Sequence, residues 1–118
     1  AYATILFGGV LERHPDVDIC ISHGGGGLPY FLDRFIGMTQ FGNWVPESIQ
    51  EHGFETMMKK LWFDAHVDGS AAHDRMVDVF GTDRLVYGTN YGGWDTTPPA
   101  DDFARSLENN ARKLLRLD

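Results

Sequence analysis

Basic residues, cysteine and long apolar runs are all scarce in this chain of 118 residues, and each shortage removes a class of function. Ten lysines and arginines stand against 17 aspartates and glutamates, a formal charge of −7. Such a surface repels phosphate backbones and anionic headgroups, so neither nucleic acid nor a membrane is an expected partner. A lone cysteine, Cys20, forbids an internal disulfide. Its apolar neighbours predict a small buried side chain, and a reducing, cytoplasmic compartment fits. The apolar stretch over residues 3–11 is too short to span a bilayer and contains Gly8 and Gly9. No secretory signal pattern precedes it. The chain opens on Ala1 without an initiator methionine, which reads as a processed or excised piece.

What is present is ordinary globular material, with 42% hydrophobic and 23% charged residues, and the length suits one core. Helical spacing over 2–13 ends at His14-Pro15, because the residue before proline is pushed out of the helical region. Residues 17–22 are short and β-branched, a buried strand that runs into four glycines. Helical spacing returns over 28–36, and 37–53 reads as an irregular excursion with one short helical turn. A second strand is predicted over 61–67, then a helix over 70–80 with Ser70 as N-cap and Gly81 just past its end. A third strand over 84–87 and a closing helix over 103–117 complete the order.

This alternation predicts an α/β chain whose parallel strands are joined by right-handed crossovers. Three strands leave a parallel sheet with open edges, so the chain is either a small open sheet or part of a larger one.

The strongest chemical signal is Ser22-His23-Gly24-Gly25-Gly26-Gly27, a histidine at the carboxyl end of a strand where parallel α/β folds build their sites. A glycine-rich turn with an incidental histidine is the plainer reading. An esterase oxyanion loop would need a Gly-x-Ser-x-Gly elbow, and none occurs. After the third strand Asn90 occupies the equivalent place, and Asp64 or His66 could point into the same site from the middle strand. His14, His52 and His73 read as solvated histidines.

Several segments together resemble the amidohydrolase-related family of the aminocarboxymuconate semialdehyde decarboxylase and resorcylate decarboxylase type. They are Gly9-Val10-Leu11-Glu12-Arg13-His14-Pro15-Asp16, Ser22-His23-Gly24-Gly25-Gly26 with Pro29-Tyr30 and Arg34, and Trp62-Phe63-Asp64. Phe80-Gly81-Thr82-Asp83-Arg84-Leu85-Val86-Tyr87-Gly88-Thr89-Asn90-Tyr91 and Asn110-Ala111-Arg112-Lys113-Leu114-Leu115 continue it, so nearly the whole chain is covered.

The resemblance implies a distorted (β/α)8 TIM barrel of the metal-dependent hydrolase type, with these strands as its sixth to eighth. Residues 1–118 would then be a single partial domain, the C-terminal part of that barrel, since a full barrel takes about 250 residues. The family's His-x-His pair would lie outside it, and none occurs here. The resemblance makes His23 a catalytic acid/base beside a metal-bound water and Arg34 a carboxylate-binding group that reaches a neighbouring subunit of a homo-oligomer. It makes Trp94 a substrate-pocket wall and places Asn90 where the family has a metal-binding aspartate. A neutral amide is a weaker ligand there. The implied enzyme is a decarboxylase or hydrolase using Zn²⁺ or Mn²⁺ on a small carboxylated cyclic or unsaturated acid. The alternative is a non-catalytic binding or assembly module derived from the same barrel.

Overall fold

A computed structural model of the chain describes residues 1–95 and 101–117. Three strands, β1 (Cys20–Ile21), β2 (Trp62–Asp64) and β3 (Leu85–Val86), form one parallel sheet in the order β1-β2-β3. Ile21 is level with Phe63, and Phe63 with Leu85, so one layer crosses all three strands. The expected strands over 17–22, 61–67 and 84–87 are longer than those observed. β1 and β3 each pair on one side only, and single bonds such as Trp62 N–H to the Ile19 carbonyl (2.9 Å) extend the ladder just beyond them.

The helix expected over 2–13 is two pieces, α1 (Tyr2–Phe7) and α2 (Val10–Arg13). Gly9 separates them at φ 65, a left-handed conformation that a continuous helix does not admit. α3 (Leu28–Met38) follows the glycine run, and the excursion over 37–53 holds α4 (Glu47–His52). α5 (Phe54–Met58), in a stretch for which no element is expected, comes next. α6 (Ser70–Phe80) has the expected ends, but its N-cap is Gly69 and no side chain caps it; Ser70 is already the first helical residue. The helix expected over 103–117 divides at Leu107 into α7 (Asp102–Ser106) and α8 (Glu108–Leu114). Asp101 starts α7 by accepting the Ala104 N–H (2.8 Å), a side-chain cap of about 1 kcal/mol.

The core lies between sheet and helices. Leu28, Met58, Leu61, Phe63, Leu85 and Leu107 are fully buried, and each such side chain contributes about 1.5–3 kcal/mol through burial. Phe63 from β2 stacks on Phe80 of α6 with centroids 3.8 Å apart. Phe35, Phe54 and Phe7 tie α3, α5 and α1 together in a second aromatic group. His73 is packed rather than solvated: its ring stacks on Phe103 with centroids 4.5 Å apart.

Cys20 is exposed, contrary to the buried position its apolar run suggested, because it lies on an edge strand. Partial burial of its sulfur, then the Asp64 carboxylate, push the thiol up to about 11. The radius of gyration is 14.9 Å, above the roughly 13.5 Å typical of a compact domain of this length. Phe41, Tyr30, Tyr91 and Trp94 are exposed. Among the described residues no helix is long and apolar enough to cross a membrane.

Candidate functional site

The carboxyl ends of the strands carry the polar cluster. Ser22 leaves β1, and His23–Gly25 then form a single 3-10 turn. His23 has φ 53, and Gly24, Gly25 and Gly26 follow at 62, 72 and 58. Four successive left-handed residues are tolerable only because three are glycines. A non-glycine held there costs on the order of 1–3 kcal/mol, and such outliers gather at functional sites. Packing adds a second requirement. A Cβ on Gly24 would meet Val67 at 2.8 Å, and one on Gly25 would meet the Phe63 and Phe80 rings at 3.1 and 3.2 Å.

Asp64, the last residue of β2, holds the turn in place. One of its carboxylate oxygens accepts the backbone N–H of His23 (3.0 Å) and that of His66 (2.9 Å). Asp64 is therefore an orienting group, while His66 enters the site. The His66 ring meets the His23 ring edge-on with centroids 5.1 Å apart. Gly88, just beyond β3, leaves room for this approach, since a Cβ there would stand 3.1 Å from the Asp64 carboxyl carbon and 3.3 Å from His66 Cβ.

From the loop after β3, Asp95 reaches His66: Nε2 and Oδ2 are 3.4 Å apart. Asn90 donates its side-chain N–H to the other Asp95 oxygen. Its backbone, at φ 49, is also left-handed and receives the Gly93 N–H (2.8 Å). Asparagine visits this conformation more readily than most residues. Desolvation works against the charge on Asp95, but hydrogen bonds from His66 and Asn90 hold its carboxyl below the usual carboxylate range.

His23, His66 and Asp95 each present a ligand atom, all within 4.8 Å of one another. The His66 side chain is only 10% exposed, and its Nδ1 is buried without a partner among the described residues. Histidine nitrogens and a carboxylate oxygen are the donors that Zn²⁺ and Mn²⁺ accept, so these residues fit a divalent ion. A cleft of about 270 Å³ beside Asp68, His73 and Asp101 includes none of the three.

His23 and Asn90 thus enter one cluster, Asn90 through its amide N–H. Arg34 is exposed on α3, and Trp94 is 95% exposed immediately before Asp95. Asp95 was not legible in advance, since nothing in the spacing of a carboxylate five residues past Asn90 signals a loop that folds back onto β2.

Fold and cluster together define an α/β protein with a parallel sheet and a polar cluster at the carboxyl ends of its strands, the end at which such folds build their sites. The profile of the family described as Amidohydrolase matches residues 4–117, and the chain belongs to that family. It is 26% identical over 106 residues to a 2-amino-3-carboxymuconate-6-semialdehyde decarboxylase of Dictyostelium discoideum, covering 77% of this chain and 25% of the relative. A 2-keto-4-carboxy-3-hexenedioate hydratase of Sphingobium is 24% identical over 94 residues, covering 79% and 26%. The chain therefore spans about a quarter of the length of these curated relatives.

Among solved structures, a 2,6-dihydroxybenzoate decarboxylase complexed with 2,6-dihydroxybenzoate has a TM-score of 0.74 at 18% identity, over 98% of this chain and 40% of its own. A 5-carboxyvanillate decarboxylase of Novosphingobium aromaticivorans, complexed with manganese and a nitrobenzoic acid, has a TM-score of 0.67 at 21% identity, over 98% and 37%. These relatives and neighbours are enzymes.

Proposed function

We propose that the polypeptide carrying this chain is a metal-dependent decarboxylase or hydrolase for a small carboxylated cyclic or unsaturated acid. Residues 1–118 would supply strands six to eight of its (β/α)8 barrel. The observation that carries the reading is His23, held in a left-handed turn at the carboxyl end of β1 with its ring against the buried His66. Family membership and the excess radius of gyration support the incomplete barrel.

His66 and Asp95 would hold the ion, Zn²⁺ or Mn²⁺. When bound, it supplies Lewis acidity toward a substrate carboxylate or carbonyl oxygen. His23 handles the proton. In a decarboxylation the carbon that loses carbon dioxide must gain a proton, and an imidazolium beside it can deliver one. In a hydrolysis the same imidazole, neutral, takes a proton from the attacking water. Asp64 keeps the His23 and His66 backbones in register while this happens. Arg34 would bind a substrate carboxylate across a homo-oligomer interface, where its planar fork gives two parallel hydrogen bonds. Trp94 would wall the pocket.

The test is His23→Ala in the intact polypeptide, followed by turnover of a carboxylated aromatic or muconate-type acid and by metal content. Turnover should fall at least about a hundredfold with metal content unchanged. Loss of metal with the fold intact would make His23 a ligand instead, and unchanged turnover would remove it from the chemistry.

A further inference from the structure

We propose that Asp95 and His66 form a cation-binding pair in which Asp95 provides the negative charge and Asn90 positions that carboxylate without ligating the ion. This deepens the metal-dependent reading above and rests on it. The two residues come from different parts of the chain, His66 two positions beyond β2 and Asp95 in the loop after β3. The fold nonetheless brings Nε2 and Oδ2 to 3.4 Å.

That separation is informative. A charge-assisted N–H to carboxylate hydrogen bond closes to about 2.7–2.9 Å. Two ligand atoms each about 2.05 Å from a tetrahedral ion lie roughly 3.4 Å apart. At 3.4 Å the hydrogen bond of the pair is long, and the same spacing suits two ligands of one cation.

The second observation is the imidazole itself. The His66 side chain is nine-tenths buried, its Nδ1 has no partner among the described residues, and its Nε2 has only the long contact to Asp95. Buried imidazoles are ordinarily satisfied by the chain around them, and this one is not. A cation at Nε2 would take up the lone pair of that nitrogen, which now faces Asp95 Oδ2.

The third observation is the hold on Asp95. Asn90 donates to Oδ1, which leaves Oδ2 facing His66. This is the arrangement by which an outer hydrogen bond orients a ligating carboxylate. With its N–H turned to Asp95, Asn90 acts through the carboxylate. The His23 ring stands edge-on to His66 at 5.1 Å, so a cation on the pair would lie beside the proposed acid/base.

The experiment is titration of the intact polypeptide with Mn²⁺, read by the electron paramagnetic resonance of free ion, and with Co²⁺, read by visible absorption. Wild type is compared with Asp95→Asn, His66→Gln and Asn90→Ala, each with a thermal melt to confirm folding. Asp95→Asn and His66→Gln should each weaken affinity at least about tenfold and change the Co²⁺ band pattern, as expected for loss of a ligand. Asn90→Ala should weaken it less, about threefold, and leave the band pattern as in wild type. Wild-type affinity in Asp95→Asn, or a changed Co²⁺ spectrum in Asn90→Ala, would overturn the assignment while the metal-dependent reading stood. Absence of Mn²⁺ and Co²⁺ binding by the wild type would overturn both. His66→Gln keeps the test open if the Asp95 variant folds poorly.

Discussion

The two ends of the sheet handle their polar groups in opposite ways. At the amino ends of the strands, Asp18 accepts the Trp62 indole N–H at 3.0 Å and an Arg116 N–H at 3.2 Å. Arg84 lies 4.9 Å over the Trp62 ring and donates to the Lys60 carbonyl at 3.0 Å. These groups satisfy one another's hydrogen bonds, although Asp18 and Arg84 also border a cleft of about 280 Å³. At the carboxyl ends, two residues with side-chain chemistry sit in left-handed backbone, a buried ring nitrogen lacks a partner among the described residues, and Tyr91 and Trp94 are 96% and 95% exposed. Polar groups that the chain leaves unsatisfied are the ones a substrate or ion can use. The proposed chemistry lies at one end and the mutually bonded groups at the other, the division expected of parallel α/β barrels.

The sharpest way to break that contrast is within the reactive end itself, where some parts are rigid and others open. Gly25→Ala should be strongly damaging. It would strain a φ of 72 and press a Cβ against the Phe63 and Phe80 rings at 3.1 and 3.2 Å. Strain of about 1–2 kcal/mol and overpacking of a similar size predict a loss of about 2–4 kcal/mol in chemical denaturation. Gly92→Ala is the control, with φ 85 but nothing within 4 Å of its Cβ; it should cost about 1 kcal/mol, from backbone strain alone. Equal losses at the two positions would show that the glycine run is not fixed by packing.

The same division decided what the sequence could tell. Strand order, parallel pairing and the ends of α6 follow from periodicity and from the glycines at 69 and 81, because local chemistry determines them. His23 stood out because a strand ending in histidine and four glycines has few structural uses. Three features were hidden. The breaks at Gly9 and Leu107 depend on how helix halves pack, which hydropathy spacing does not register. The exposure of Cys20 depends on β1 having a neighbour on one side only, a property of the sheet rather than of the residue. Asp95 joins His66 through a loop closure across 29 residues, and no local pattern encodes such a contact.

A smaller effect should come from Asp64, which ties the middle strand to both histidines. Asp64→Ala removes the acceptor shared by the His23 and His66 backbone N–H groups. Partners of this kind typically account for 10–100-fold in metal affinity or activity. We expect about a tenfold loss of turnover in the intact polypeptide. Asp64→Asn should recover most of it, because the carboxamide oxygen can still accept both bonds. If the asparagine variant is as poor as the alanine one, the negative charge matters rather than the acceptor geometry, and Asp64 belongs with the ion-binding groups.

The smallest effect is expected at the opposite end. Asp18 lies below its ordinary carboxylate value, first because the Trp62 indole bonds it and next because Arg116 does. A carboxylate with a depressed folded-state value stabilises the fold above the unfolded value, near pH 4, and loses that contribution as the pH falls through the folded value. Asp18 is partly solvated, at 31% side-chain exposure, so solvent screening keeps its ion pairs weak, and the whole interaction should amount to about 1 kcal/mol or less. Asp18→Asn should therefore lower stability slightly at pH 7, and the gap from wild type should close as the pH falls through the folded-state value of Asp18. Mn²⁺ affinity and turnover should stay at wild-type values throughout. A fall in either, with stability matched, would mean that the amino ends of the strands communicate with the carboxyl ends, and the separation of structural from chemical groups would fail at its quieter side.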